Sequence, residues 1–227
     1  MTNDNLQRLY WEKEHCFRAY NHPVVESFAR QRIDLICRTL PVSSIVNALD
    51  VGCGDGFSTY YMNERIPAIV GVDRSNMMAQ RHPLKGNGQV AIADALRLPF
   101  ADESFDLVYG WEILHHLMKP EHAIAEMSRV GRRYVLIFEP NPLNIAQFGF
   151  ALLDREHRLV LRYSPRFMRA LFRKAGLKIV AFGSGGWIFP NKTPMPLLPL
   201  LEKIPYGNPF GISNWVLGMK PAEEKQR

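Results

Sequence analysis

The chain has 227 residues, and 47% of them are hydrophobic, which is enough for the core of one α/β domain with some added segments. No apolar run is long enough to span a bilayer, and the polar N-terminal segment is unlike a secretory signal. The net charge of +6 allows an anionic partner without requiring one, and three scattered cysteines without metal-ligand spacing favour a reducing compartment, the cytoplasm.

The first forty residues predict two helices with a break at Asn21-His22-Pro23. Proline is favoured in the first turn of a helix and disfavoured in its interior, so the second helix should begin there. That second helix has an amphipathic pattern. The first helix is rich in aromatic side chains, which we expect to pack it onto the domain.

A buried strand over Asn47–Val51 runs into Gly52, Gly54 and Gly56, after which a helix is expected. Glycine lacks Cβ, so the backbone here can take left-handed angles and approach a ligand closely. A strand, a glycine-rich turn and a helix N-terminus are typical of a cofactor-binding corner. The spacing differs from the dinucleotide pattern G-x-G-x-x-G, and Asp50 would repel a pyrophosphate but suit a cationic ligand. A tight turn without a ligand is the alternative interpretation.

Two further buried strands are predicted over Ala68–Asp73 and Gln89–Asp94, and each ends in an acid. Asp73 lies about twenty residues beyond the glycine turn, where a carboxylate can accept hydrogen bonds from both ribose hydroxyls. Asp73 could instead cap the helix that opens at Arg74. The two roles are compatible.

The segment that follows the third strand has the sequence LPFADESFDLV over residues 98–108, which is long enough to be a specific motif. Together with the D-x-G-x-G-x-G motif that begins at Asp50, it resembles the class I methyltransferases of the type 11 family, which use S-adenosylmethionine. The resemblance covers residues 45–140 closely and 164–180 more loosely.

The resemblance implies a doubly wound, Rossmann-like α/β sheet of seven strands, the last antiparallel between strands five and six. It implies an N-terminal helical lid over residues 1–40 and a methyltransferase domain over 41–220. The charged residues 221–227 are expected to form a disordered tail. The implied cofactor is S-adenosylmethionine, with S-adenosylhomocysteine as product, and no metal is expected. The cofactor-binding candidates are Tyr20, Asp50, Gly52, Cys53, Gly54, Gly56, Asp73, Arg74, Met77, Asp94, Ala95, Gly110 and Trp111.

Four residues near the ends of strands four and five are candidates for a general base. In order of preference they are His115, His116, Glu112 and Glu139. An imidazole can accept a proton near neutral pH. Either histidine could instead only hold the turn that follows strand four.

Substrate recognition is expected in two apolar insertions, over residues 141–164 and 184–211. Large apolar surface outside a sheet core indicates a partner, a membrane or an apolar ligand. We therefore expect a small, apolar or lipid-like acceptor, with peripheral membrane contact as an additional hypothesis.

Three alternatives remain open. Arg166, Arg169 and Arg173 would share one face of a helix with Arg162 nearby, and that face is either simply solvated or binds lipid headgroups or RNA phosphates. The first alternative function is therefore an RNA methyltransferase, with nucleic acid as a less favoured partner than a small molecule. The second is a non-catalytic module that binds S-adenosylmethionine. The third is a nicotinamide-dependent oxidoreductase, which Phe57 and Asp50 disfavour.

Overall fold

The computed structural model describes residues 17–153 and 155–221, which build a seven-stranded sheet in the order β3-β2-β1-β4-β5-β7-β6. The strands are β1 (Asn47–Val51), β2 (Ala68–Asp73), β3 (Val90–Ile92), β4 (Phe105–Trp111), β5 (Gly131–Pro140), β6 (Lys178–Gly185) and β7 (Ser213–Met219). The helices are α1 (Pro23–Thr39), α2 (Phe57–Asn63), α3 (Asn76–Arg81), α4 (Pro120–Val130), α5 (Ile145–Leu153), α6 (Pro165–Lys174) and α7 (Leu198–Leu201).

Strands β1 to β5 pair in parallel, and β7 runs antiparallel between β5 and β6. This confirms the predicted doubly wound fold and the predicted place of the last strand. Strand β4 lies at the centre, and all seven of its residues are buried. Its side chains alternate between two apolar layers, because successive residues of a strand point to opposite faces.

Helices cover both faces of the sheet. Leu107 and Tyr109 of β4 pack with α1 and α2 in one apolar cluster, whereas Val108 packs with α4 and α6 in the other. Burial on both faces explains why these strands are nearly continuous apolar runs rather than alternating ones. Because β1, β2, β4 and β5 run in parallel, their carboxyl ends meet at one edge of the sheet, which we call the carboxyl edge.

Local capping signals set several helix boundaries. The side chain of His22 accepts a hydrogen bond from Val24 N–H at the start of α1, with Pro23 in the first turn, as the predicted break requires. Ser164 caps α6 in the same way, through Phe167 N–H. Helix α3 is capped by Ser75 rather than by Asp73, which corrects the alternative role considered for that acid.

The remaining element predictions differ from the structure mainly at their ends. Strand β3 is shorter than the predicted strand over Gln89–Asp94. The first insertion contains α5 and a 3-10 segment over Arg155–Arg162, and the second contains only short helical turns, as its prolines dictate. Most of the predicted aromatic N-terminal helix and most of the tail lie outside the described residues. Among the helices that are described, none is long and apolar enough to cross a membrane.

Glycine is required at Gly56 for two reasons, and at Gly54 for only one. Both have positive φ, +86° and +55°, but a Cβ at Gly56 would lie 2.2 Å from the His82 ring, whereas one at Gly54 would meet nothing within 4 Å. We expect each alanine substitution to cost about 1–2 kcal/mol of left-handed strain, and Gly56→Ala to cost roughly 1–3 kcal/mol more from the clash. Urea denaturation of both variants measures the difference, and equal losses would contradict the prediction.

Candidate functional site

The glycine turn follows β1 at the carboxyl edge. Gly52 has a φ of +72°, and a Cβ on it would lie 2.3 Å from the Ile113 side chain. The turn is therefore packed against the end of β4 on one side and, through Gly56, against His82 on the other. Between them Gly54 faces open space, so a ligand can approach its backbone directly.

Asp50 lies behind this turn and is fully buried. Its Oδ2 accepts hydrogen bonds from Ser58 Oγ at 2.5 Å, Thr59 Oγ1 at 2.8 Å and Tyr109 Oη at 3.0 Å. These three hydroxyls come from α2 and β4, so one carboxylate oxygen joins β1 to both. Its Oδ1 is buried and has no hydrogen-bond partner within the described chain. That oxygen is an acceptor available to a donor-bearing ligand.

Asp73, at the end of β2, shapes the turn as well. Its Oδ2 accepts from Gly54 N–H at 2.9 Å and its Oδ1 from Ser75 N–H at 2.8 Å. The backbone N–H of Arg74 contributes a third hydrogen bond to this carboxylate. Two carboxylate oxygens have about four lone-pair positions, so Asp73 retains an acceptor position. The predicted ribose role therefore remains chemically open while the same side chain holds the glycine turn.

Three acids lie at the corner, of which Asp50 is buried and Asp55 and Asp73 are half-buried. Burial raises the pKa of Asp50 to about 6 and that of Asp55 to about 6, and it also raises the pKa of Asp73. Each carboxylate is thus destabilised in its charged form, and a neighbouring cation would relieve this cost. Burial lowers the pKa of His82 to about 4, so that imidazole is neutral at physiological pH and adds no positive charge.

The other predicted cofactor residues lie around the same edge. Gly110 and Trp111 are buried at the end of β4, and Cys53 is buried within the turn. The exposed Asp94 accepts a hydrogen bond from Leu96 N–H at 2.9 Å. Ala95 is buried beside it, Arg74 and Met77 are half-buried at the start of α3, and the Tyr20 ring lies 4.6 Å from the Tyr60 ring.

Among the base candidates, His115 and Glu139 form a buried pair. His115 Nδ1 lies 2.7 Å from Glu139 Oε2, and both side chains are almost completely enclosed. Glu139 also accepts from Leu114 N–H at 2.6 Å and from His115 N–H at 3.3 Å. Since a carboxylate only accepts, Nδ1 of His115 carries the proton. Tyr163 Oη donates to Leu114 O at 2.6 Å and fixes this turn from the other side.

His116 and Glu112 are more accessible than that pair. The ring centres of His116 and His115 lie 3.9 Å apart, and His116 is half-buried. Glu112 follows β4 with a φ of +59°, a strained conformation for a residue other than glycine. Its side chain is 32% exposed. The structure therefore separates the four candidates into a buried supporting pair and two groups that can meet a ligand.

Sequence reasoning missed Arg32, which is fully buried on α1. Its Nη2 donates to Glu112 Oε1 and to Ser213 Oγ, both at 2.5 Å. The guanidinium also lies 4.0 Å from the Phe28 ring centre and 5.1 Å from that of Trp111. A signal existed, because Arg32 occupies an apolar position of the amphipathic α1 stripe, four residues after Phe28 and four before Ile36.

Comparisons with known proteins identify the family. A family model described as a methyltransferase domain matches residues 49–137. A 27-O-demethylrifamycin SV methyltransferase of Amycolatopsis mediterranei is 27% identical over 78% of this chain and 68% of its own length. A ubiquinone biosynthesis O-methyltransferase of Hahella chejuensis is 29% identical over 72% of this chain and 68% of its own. The family model and these relatives together show a class I S-adenosylmethionine-dependent methyltransferase domain in this chain.

Other relatives are matched over a smaller share of their length. The chain spans 49% of the methyltransferase GfsG of Streptomyces halstedii, at 31% identity, and 28% of a probable tocopherol O-methyltransferase of rice, at 30% identity. Solved methyltransferases establish the fold. One from Thermotoga maritima has a TM-score of 0.67 at 19% identity, covering 87% of this chain and 91% of its own. The magnesium protoporphyrin IX methyltransferase of Synechocystis has a TM-score of 0.64 at 13% identity, covering 97% and 100%.

The cofactor corner of this methyltransferase fits S-adenosylmethionine. The cofactor has a cationic sulfonium and a cationic amino group, and the corner offers three acids and the unpartnered Oδ1 of Asp50. Open space at Gly54 leaves room for close backbone contact. The Asp73 carboxylate retains an acceptor position that suits a ribose hydroxyl.

The acids of the corner predict that cofactor binding depends on pH. Ionised Asp50 and Asp55 attract a cation. Each carboxyl group has a pKa of about 6, so each becomes protonated and neutral as the pH falls through that value. The affinity for S-adenosylmethionine should therefore rise roughly tenfold between pH 5 and pH 7, with proton release on binding. Isothermal titration calorimetry in buffers of different ionisation enthalpy measures both. Adenosine, which lacks both cationic groups, is the control, and an equal pH dependence for it would contradict the assignment.

The Arg32–Glu112 pair predicts an asymmetric loss of stability. Glu112→Gln removes the charge that compensates a fully buried guanidinium, and we expect a loss of about 2 kcal/mol in the free energy of unfolding, reduced by the partial exposure of Glu112. The control is Asp102→Asn, whose ion pair with Arg129 is 73% exposed on the carboxylate side and should contribute less than about 1 kcal/mol. Urea denaturation measures both, and equal losses would contradict the assigned role of Arg32.

Proposed function

We propose that this methyltransferase methylates a hydroxyl oxygen of a small, apolar acceptor. The observation that carries the proposal is the His115–Glu139 pair at the carboxyl edge, next to the cofactor corner and behind the half-buried His116. A hydroxyl must lose its proton as it is methylated, so such an acceptor needs a base, and this site supplies imidazoles backed by a carboxylate.

Bound S-adenosylmethionine supplies a methyl group that is already electrophilic, so the protein mainly has to orient the acceptor and exclude water. In the proposed mechanism His116 contacts the acceptor hydroxyl and takes its proton. His115 is the positioning residue, because its Nδ1 is held by Glu139 and its ring lies against His116. This changes the expected order of the two histidines, since His115 is only 2% exposed and His116 is half-buried.

The apolar character of the acceptor is supported by the first insertion. Leu143, Ile145, Phe148 and Leu152 are all exposed rather than packed in the core. They follow β5 at the carboxyl edge, where an acceptor must enter. Relatives named for O-methyl transfer, the tocopherol and ubiquinone biosynthesis enzymes among them, support an oxygen acceptor.

RNA is the less favoured acceptor. Of the arginines expected to form a basic face, Arg169 is half-buried, with its guanidinium 4.3 Å from the Phe182 ring centre. Arg162, Arg166 and Arg173 are exposed. Methylation of RNA would require strongly salt-dependent RNA binding, and the experiment below includes that outcome.

The deciding experiment uses methyl-labelled S-adenosylmethionine and a host-cell extract, separated into organic, small aqueous and nucleic-acid fractions. We expect the label in the organic fraction, in a product whose methyl group is stable as an ether. Label in RNA would overturn the proposal, as would label in a product that carries the methyl group on nitrogen or carbon.

With that extract, His116→Asn should lower transfer by about 10²–10³-fold, in line with the loss of a general base. S-adenosylhomocysteine should still raise the melting temperature of this variant, because the cofactor corner is unchanged. The matched control is His122→Asn, a histidine on α4, which should retain transfer within twofold. Full activity of His116→Asn at all pH values would contradict the role of His116.

A further inference from the structure

An apolar face is exposed along α5 at the carboxyl edge. Ile145, Phe148 and Leu152 recur at spacings of three and four, so they lie on one side of the helix. Ile145 is 89% exposed, and Leu143 just before the helix is 59% exposed. We call these four residues the α5 face.

The orientation of α5 is fixed by its polar side chains, which point inward. Asn144 Nδ2 donates to Phe210 O at 2.7 Å, and Gln147 Nε2 donates to Ile212 O at 3.3 Å. Asn144, Gln147 and Ala151 are buried. The usual distribution is thus inverted, with amide groups buried against backbone and large apolar groups facing solvent. The first of these hydrogen bonds also places Phe210, itself 61% exposed, beside the start of the α5 face.

Exposed arginines lie at the same edge of the sheet. Helix α6 leads into β6, which runs in the same direction as β5, so α6 begins at the carboxyl edge and ends at the opposite edge. Arg162 and Arg166 flank the start of α6 and are exposed. Tyr163, between them, is bound through its hydroxyl to Leu114 O in the turn after β4. Both arginines are therefore held close to the entrance of the site.

We propose that the α5 face, with Phe210, Arg162 and Arg166, docks this methyltransferase onto an anionic lipid bilayer. A helix of nine residues without charged side chains is too short to span a membrane, but its apolar side can enter the headgroup boundary. Cationic side chains beside such a helix match the negative potential of anionic lipids. The charge complementarity selects a bilayer over a second copy of this basic chain. The inference rests on the proposed apolar acceptor. Such a molecule dissolves in the bilayer, and docking would bring the carboxyl edge of the sheet next to it.

The test is sedimentation with vesicles of phosphatidylcholine alone or with 30% phosphatidylglycerol. The full chain should bind the anionic vesicles more tightly, and rising salt should weaken binding. The double variant Ile145→Gln/Phe148→Gln should weaken binding to anionic vesicles at least tenfold. Val46→Gln is the matched control. Val46 is 72% exposed but precedes β1 at the opposite edge, so this change should leave binding within twofold.

The arginines are tested separately. Arg162→Gln and Arg166→Gln should each weaken binding to anionic vesicles about fivefold and leave binding to neutral vesicles unchanged. Arg38→Gln, on the exposed last turn of α1 at the opposite edge, is the control and should have an effect within twofold. Thermal melts confirm that each variant is folded.

Three results would overturn the inference. The full chain could fail to bind anionic vesicles, or the glutamine double variant could bind them as tightly as the full chain does. The third result is a dimer in solution that this double variant dissociates, which would assign the α5 face to a second copy. Neither assay contains cofactor or acceptor, so failure here is distinguishable from failure of the proposed O-methyl transfer, which the labelling experiment measures.

Discussion

Two buried carboxylates at the carboxyl edge hold the site together. Asp50 accepts three hydroxyl hydrogen bonds and so joins β1, α2 and β4 behind the glycine turn. Glu139 accepts from two backbone N–H groups and His115, and so joins β5 to the turn after β4. Removing a carboxylate from water is costly unless hydrogen bonds replace those lost, so each acid strongly constrains its neighbours. In the proposed mechanism Asp50 shapes the cofactor half of the edge and Glu139 the acceptor half.

Sequence reasoning succeeded where local chemistry determines structure. Strands β1 and β2 were predicted residue by residue, because buried parallel strands are continuous apolar runs that end at glycine or an acid. The start of α1 followed from the proline at the predicted break, Pro23. The identity of the cofactor came from the family resemblance. The glycine spacing and Asp50 alone predicted only that the ligand is cationic.

Features that depend on distant contacts could not be predicted. The sequence does not distinguish His115 from His116, because the pairing with Glu139 arises across 24 residues. Arg32 was missed although it lies within an apolar stripe, and its partner Glu112 is 80 residues away. The apolar composition of α5 was evident, whereas its inverted orientation depends on amide hydrogen bonds to backbone near Phe210 and Ile212.

Arg32 of α1 is bonded to Glu112 after β4 and to Ser213 of β7, and so ties the end of the central strand to a helix on the face of the sheet. Its guanidinium binds Glu112, whose positive φ of +59° is also secured by a 2.7 Å hydrogen bond from Glu112 N–H to Phe138 O. A strained residue persists only where its surroundings over-determine it, and here the constraints come from α1 and β5. The end of β4 therefore cannot relax unless α1 also moves. This coupling explains how a partly exposed acid can keep a fixed position at the carboxyl edge.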